Sequence, residues 1–280
     1  MGVTPDDPSL RPPAPDGFSD ARLITRFAPV LRAGLGAALA AGDSGPRLHA
    51  EALHQVCLAD GLLELLDWTR QGVAADPLAC LWLASLRWHR LLTGSFPEGA
   101  PEPPARATDR ALAELLNGRS PTLALMPDSG EVSRRGLATG EMAYPSSPAQ
   151  PECADPSGLL RLVPLALVPY VEDSMLLRWT EQALALTQGH PRLHADAARL
   201  VATVRGLGAQ EEPGPAAVRA ALAQARDIMT DADEVTAAAV LAQVRAAGGQ
   251  QPDVTALPDE LEATLQAALL TPWQRVTAPV

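Results

Sequence analysis

Leucine and alanine recur at three- and four-residue steps through residues 48–70, and this spacing is the strongest constraint on the fold. Leu58, Leu62 and Leu65 fall on one face of a helix when 3.6 residues make a turn. Aromatic residues make up only 4% of the sequence, and alanine and leucine supply most of its 47% apolar content. Because alanine and leucine favour helices whereas β-branched and aromatic residues favour strands, the sequence predicts an all-α fold.

Further helices are predicted along the whole chain, separated by segments rich in glycine and proline. Pro29 is expected to break or begin the first of them, because an internal proline removes a backbone donor. Residues 119–157 are dense in glycine, proline and serine and predict a long loop region, and no run of the sequence predicts a strand. The predicted helices cover residues 23–41, 48–70, 78–92, 108–117, 173–187, 191–207, 215–229, 233–247 and 258–270.

The domain organisation follows from length and composition. Residues 1–20 are rich in proline and aspartate and predict a disordered extension. Residues 21–280 predict a single compact helical domain, because a chain of 280 residues can bury a substantial core. The start of the sequence resembles no signal peptide, and no apolar run reaches the ~20 residues that a bilayer requires. We therefore expect a cytoplasmic protein without a membrane partner.

The charged residues exclude several classes of function. All 22 basic residues are arginine, and the net charge is −11 at pH 7. A chain without lysine has neither a Schiff-base lysine nor a P-loop lysine. We expect no nucleic-acid partner, because binding to the phosphate backbone depends on clustered cations. Cys57, Cys80 and Cys153 lack the spacing of a zinc site and are interpreted as unpaired.

Two segments in the middle of the chain resemble a known family. Residues 158–168 read GLLRLVPLALV, and residues 185–191 read ALTQGHP. They resemble the G-x-M-R-x-x-P-x-x-L segment and the L-T-H-G-H-P helix end of the ADP-ribosylglycohydrolases. Three other segments are similar, in the same order, to the family's A-E-G-L-L helix, L-R-W helix and R-x-P-G-N-T-x-L-x-A-L loop. They are residues 55–63 (QVCLADGLL), 86–88 (LRW) and 117–125 (NGRSPTLAL).

The resemblance spans roughly residues 33–270 and implies a single multi-helix bundle of the ADP-ribosylglycohydrolase type. Active members hold two Mg²⁺ ions through converging carboxylates, because hard divalent cations take oxygen ligands. The ions orient the ribose and activate water at the glycosidic carbon. The family takes these ligands from a G-D-A-L-G-x-P-x-E segment, a T-D-D-T motif at the head of the A-E-G-L-L helix, and a late D-x-D-S/T motif.

The first two ligand motifs are eroded in this sequence. The first segment keeps Asp43 as its remnant. The T-D-D-T positions fall on residues 49–52, where Glu51 is the single carboxylate. A second alignment places a degraded motif at residues 18–22 and keeps Asp20 instead. Either alignment loses one ligand of the pair.

The late motif also has two alignments. Residues 230–234 (TDADE) resemble D-x-D-T and supply Asp231 and Asp233 as ligands. Residues 234–241 (EVTAAAVL) fit an earlier family helix equally well, and the chain then ends before the D-x-D-S motif; we favour this truncated alignment. Acidic residues at a helix N-terminus complement the helix dipole, which alone accounts for both aspartates.

Arg161 and His190 keep positions of the central family motifs, whereas the first histidine of T-H-G-H-P is Gln188 here. A lone histidine beside a proline is more often a helix cap than a catalyst, and a buried ion pair is the simplest role for the arginine. The ligand-binding candidates are Glu51, Asp43, Arg161 and His190. The candidates for a metal site are Asp43, Glu51, Asp231 and Asp233, and none of them is assigned to one.

The ligand count favours a catalytically impaired ADP-ribosylglycohydrolase-like protein that acts as a binding or regulatory module for ADP-ribose or an ADP-ribosylated protein. No cofactor is expected then, because one or two carboxylates hold two Mg²⁺ ions poorly. The first alternative is a Mg-dependent hydrolase of N- or O-glycosidic ADP-ribosyl bonds with a rearranged metal site. The second is an unrelated helical interaction protein. An apolar surface exposed by a missing C-terminal helix would favour a homodimer.

Overall fold

The computed structural model describes residues 17–42, 45–119 and 121–279, and most of them are helical. The predicted all-α class is therefore confirmed. A 3-10 helix covers Pro156–Leu167, and a π-helical turn, Gln266–Leu270, joins the last two α-helices. The α-helices are α1 (Gly17–Ala37), α2 (Ala50–Arg70), α3 (Pro77–Thr93), α4 (Ala107–Asn117), α5 (Glu131–Leu137), α6 (Asp173–Ala185), α7 (Pro191–Gly208), α8 (Pro215–Ile228), α9 (Glu234–Ala247), α10 (Asp259–Leu265) and α11 (Thr271–Thr277).

A small sheet lies beside the start of α2, so the expectation that the chain contains no strand was wrong. The second strand pairs antiparallel with the first and parallel with the third, and Leu39 lies opposite Leu48. Strands of two residues are too short to leave an alternating pattern in a sequence. The strands are β1 (Leu39–Ala40), β2 (Arg47–Leu48) and β3 (Ala124–Leu125).

Helix α1 differs from its prediction at both ends and in the middle. It begins at Gly17, inside the extension predicted for residues 1–20, and the residues before it lie outside the described part of the chain. Pro29 neither breaks nor begins the helix. The neighbouring Val30 and Leu31 are fully buried. Burial of this apolar face offsets the backbone donor that the proline removes.

Helix α2 runs through the middle of the molecule and is buried along most of its length. It packs against α3 and the 3-10 helix, while α1 packs against α9. Gly61 allows the close approach of α3, because a Cβ there would lie 2.8 Å from Ala84 Cβ and 3.0 Å from the Cys80 carbonyl oxygen. A helix surrounded by protein places its polar side chains in the interior, where they need partners.

Two other regions extend the helical content beyond the predictions. Helix α5 lies inside the predicted loop of residues 119–157. It was not predicted because a helix of seven residues is too short for apolar spacing to stand out. The helix predicted for residues 258–270 continues through the π-helical turn to Thr277. Helices α8 and α9, predicted for residues 215–229 and 233–247, pack against each other.

Two predictions concern the pairing of the cysteines and the presence of a membrane-spanning segment. Cys57 and Cys80 are buried, Cys153 is half-buried, and all three are unpaired. Within the described residues, no helix combines the length and the apolar character needed to cross a bilayer.

Candidate functional site

The N-terminal end of α2, which we call the head of α2, holds Glu51. His49 caps the helix, and its Nδ1 accepts a hydrogen bond from the backbone N–H of Glu51 at 3.3 Å. The backbone N–H of Ala50 donates to Ser129 Oγ at 3.0 Å. Side chains of the protein therefore satisfy the first free donors of the helix.

Glu51 and Arg161 form an ion pair in the interior. Arg161 Nη1 lies 3.1 Å from Glu51 Oε2, and both side chains are 0% exposed. Arg161 comes from the 3-10 helix and also donates to Ser133 Oγ at 3.0 Å and to Thr187 Oγ1. The sequence predicted both residues as ligand-binding candidates, and the structure brings them together. A carboxylate held this way is closed to a ligand arriving from solvent.

The charge of Glu51 is fixed by its surroundings. Burial alone would raise its pKa, but the Arg161 guanidinium and the contact with His54 outweigh burial and lower the pKa to about 2. Glu51 is therefore ionised throughout the neutral range. Its Oε1 atom has no hydrogen-bond partner among the described residues.

His54 lies one turn after Glu51 and completes an arrangement that resembles a catalytic triad. Its Nδ1 is 3.5 Å from Glu51 Oε2, its Nε2 is 3.0 Å from Ser85 Oγ, and its ring stacks on Trp88. All of these groups are buried, and Ser85 Oγ also donates to the Leu81 carbonyl oxygen at 2.9 Å. Burial lowers the pKa of His54 to about 4, so the ring is neutral at pH 7. Because no substrate atom can reach Ser85, the cluster is structural.

The two aspartates of the late motif lie at the start of α9, beside the head of α2. Asp233 accepts from the backbone N–H of Thr236 at 2.9 Å, and its other carboxyl oxygen is 4.0 Å from His49 Nε2. Asp231 lies 3.6 Å from Arg192 Nη2, at the start of α7. Asp233 therefore lies beside the head of α2, whereas Asp231 lies beside the start of α7.

The other candidates do not join Glu51. Asp43 lies outside the described residues. His190 caps α7, and its Nδ1 accepts from the backbone N–H of Arg192 at 3.2 Å. Asp20 accepts from the backbone N–H of Tyr170 at 2.8 Å, near the other end of α2. Because α2 is a 21-residue helix of roughly 30 Å, Asp20 cannot share a site with Glu51.

Sequence reasoning missed Gln188 and Thr187 as members of the buried polar cluster. Gln188 replaces the family's histidine, and its Nε2 donates to the Asp155 carbonyl oxygen at 2.5 Å. A Cβ on Gly158 would lie 2.1 Å from Gln188 Oε1 and 2.5 Å from Arg161 Nη1. The signal that could have found them was this glycine, because glycine three residues before Arg161 permits such a close approach.

The family model of the ADP-ribosylglycohydrolases matches residues 21–277. The chain belongs to the ADP-ribosylglycohydrolase family. The match covers the helices from α1 to the end of α11, so the resemblance of the central motifs and the type of helical bundle are confirmed. It also excludes the hypothesis of an unrelated helical interaction protein. No curated protein matches the chain.

The described residues of this ADP-ribosylglycohydrolase family member do not fit the two-metal centre that the family implies. Each described carboxylate among the metal candidates lies beside a basic side chain from another element. Within residues 17–42, 45–119 and 121–279, no three Asp, Glu, His or Cys side chains converge as ligands for a cation. Two Mg²⁺ ions need several converging oxygens, which these residues do not supply. The pairs are Glu51 with Arg161, Asp233 with His49, and Asp231 with Arg192.

Proposed function

We propose that this ADP-ribosylglycohydrolase family member is catalytically impaired and binds ADP-ribose, free or attached to a protein, without a metal ion. The observation that carries the proposal is the buried pair of Glu51 and Arg161. A metal ion bound to Glu51 would have to displace Arg161 from its partner in the interior. Breaking a buried ion pair costs roughly 3–5 kcal/mol, because one charge is left uncompensated.

The ligand would bind where four helices begin. The helix-head face, as we call it, comprises the cap residues His49, Asp155, His190 and Asp233 together with Arg192. The contacts of His49 with Asp233 and of Arg192 with Asp231 join three of these helix ends. Side chains already cap these helix starts, so the group on this face that attracts a diphosphate is the Arg192 guanidinium.

Arg192 is the residue of this face that best suits an anion. Its guanidinium is exposed, and its pair with Asp231 is a surface pair that contributes little to stability. A guanidinium also binds a phosphate through two parallel hydrogen bonds. The carboxylates of Asp155 and Asp231 can accept hydrogen bonds from ribose hydroxyls.

The first test is calorimetric titration of ADP-ribose into the full chain and two arginine variants. Arg192→Gln should weaken binding by roughly ten- to a hundredfold, because charge-assisted hydrogen bonds contribute about 1.5–3 kcal/mol. The matched control is Arg219→Gln. Arg219 is exposed on α8, which follows the C-terminal end of α7, whereas Arg192 lies in the first turn of α7. Equal affinities for the two variants would refute the proposed site.

The rival function is a Mg-dependent hydrolase with a rearranged site. It is favoured by Asp231 and Asp233, which lie two residues apart on the helix-head face, and Asp43 is the remaining candidate ligand in the sequence. The test is release of ADP-ribose from an ADP-ribosylated peptide in millimolar Mg²⁺. The proposal predicts no release above the buffer blank. Mg-dependent release that disappears in Asp233→Asn would establish the rival function.

A further inference from the structure

A second surface lies at the opposite end of the molecule, where α2 ends. It is an apolar groove with a volume of about 720 Å³, between the end of α2, the start of α3, the segment before α6, α6 itself and the residues after α11. Most of its lining is apolar or aromatic. We call it the distal groove, and its principal residues are Leu65, Leu66, Pro77, Tyr170, Met175 and Trp179.

Hydrogen bonds fix the walls of the distal groove. Arg70, in the last turn of α2, donates to the carbonyl oxygens of Val276 at 2.8 Å and Ala278 at 3.1 Å. The Tyr170 hydroxyl donates to the Thr277 carbonyl oxygen at 3.1 Å. The last residues of the described chain are therefore held as one wall, and the groove exists before anything binds to it.

Two of the most exposed apolar side chains line the distal groove, and two others lie near it in the sequence. Tyr170 is 51% exposed and Met175 is 38% exposed. Trp68 and Val73, on the last turn of α2 and the loop after it, are 44% and 49% exposed. Among the described residues, these four belong to a group of only five large hydrophobic side chains with such exposure. The exposed Tyr170 and Met175, which share an apolar groove, indicate a binding surface.

The chain enters α1 at the rim of this groove. The Asp20 carboxylate accepts a hydrogen bond from the backbone N–H of Tyr170 at 2.8 Å, and α1 begins three residues earlier, at Gly17. The sequence before Gly17 is MGVTPDDPSLRPPAPD, in which five of sixteen residues are proline. Proline-rich segments favour the polyproline II conformation, and grooves lined by aromatic side chains bind that conformation.

We propose that the distal groove binds the chain's own proline-rich segment, residues 1–16. At ~3.1 Å per residue an extended segment of this length reaches about 50 Å from Gly17. The tether at Gly17 holds the segment at an effective concentration of about millimolar, so even a weak contact is occupied. Docking would cover Tyr170 and Met175, the exposed apolar side chains of the groove.

Fluorine NMR of the full chain labelled with 5-fluorotryptophan tests the proposal. Trp179 lines the groove, whereas Trp88 is buried beside the head of α2 and serves as the internal reference. Replacing the three prolines of residues 12–15 with serine should shift the Trp179 resonance and leave that of Trp88 unchanged. The matched control is Pro101→Ser, an exposed proline in another loop. An unchanged Trp179 resonance in the segment variant would overturn the proposal.

A spin label on the N-terminal segment distinguishes docking in the groove from the proximity to Trp179 that the tether alone creates. The label is attached through Ser9→Cys in a Cys153→Ser background, because burial raises the pKa values of Cys57 and Cys80 and buried thiols of this kind are inert. The label should broaden the Trp179 resonance, and a groove variant should relieve much of that broadening.

The groove variant is Tyr170→Asn. Tyr170 is exposed, and its φ of 61° lies in the left-handed region, which asparagine tolerates, so this variant should fold. Broadening of Trp179 that is equal with and without Tyr170 would refute docking. Broadening that vanishes on dilution would assign the groove to a second copy's segment and would also refute the intramolecular proposal.

Discussion

Replacing Glu51 with glutamine should destabilise the protein strongly, because it leaves the buried Arg161 guanidinium without a compensating charge. The magnitude follows from the pKa of Glu51, which is lowered from 4.5 to about 2. Each pKa unit corresponds to about 1.4 kcal/mol, so the folded environment favours the ionised carboxylate by roughly 3 kcal/mol. This value agrees with the roughly 3–5 kcal/mol measured when one partner of a buried ion pair is removed.

The assay is urea unfolding at pH 7 of the wild type, Glu51→Gln, Arg161→Met and the double variant. The double variant should lose less stability than the sum of the two single variants, because it leaves no unpaired charge. The matched control is Glu131→Gln, which removes an exposed partner of Arg134 and should change stability little.

Two results would refute this reasoning. A loss below about 1 kcal/mol for Glu51→Gln would mean that the pair does not stabilise the ionised carboxylate. An increase in the stability of the metal-free protein would mean that Glu51 belongs to a cluster of repelling carboxylates, as a metal ligand would.

Three further predictions follow from the structure. The pKa of the buried His54 is lowered from 6.5 to about 4, so between those pH values the unfolded chain binds a proton that the folded protein does not. The free energy of unfolding should therefore fall by roughly 3 kcal/mol as the pH drops from 6.5 to 4. His54→Gln should flatten that part of the urea-derived stability profile; an unchanged slope would contradict the assignment. Gly61→Ala should lower thermal stability by roughly 1–3 kcal/mol, because the added Cβ would meet α3. Gly206, in α7, has open space around it, so Gly206→Ala should raise stability by up to about 1 kcal/mol. Equal effects would argue against the close contact. Millimolar Mg²⁺ should leave the melting temperature unchanged. If the folded protein had a Mg²⁺ site, Mg²⁺ at a hundredfold excess over the Kd of that site would add about 2.7 kcal/mol to the free energy of unfolding.

The helical class and most of the helices could be predicted because apolar spacing and cap residues are local signals. The interpretation of His190 as a helix cap is an example, since His190 stands directly before Pro191, where α7 begins. The short elements could not be predicted in this way. Strand β1 and helix α5 have two and seven residues, which is too few for a periodic pattern.

The candidate site could be predicted only as a set of residues. The resemblance to the family selected Glu51 and Arg161, but they lie 110 positions apart and no spacing rule pairs them. Their contact depends on how the 3-10 helix packs against α2 in the interior. The same holds for Asp233 and His49, which meet because α9 begins beside the head of α2. Long-range packing of this kind leaves no periodic signal in the sequence.

The central claim, binding of ADP-ribose without a metal ion, is tested most directly by calorimetric titration of ADP-ribose into the full chain in excess Mg²⁺ and, separately, in excess chelator. We predict the same Kd in both conditions, because Arg161 rather than a metal ion compensates Glu51 at the head of α2. Binding that requires Mg²⁺, or no binding in either condition, would contradict the claim.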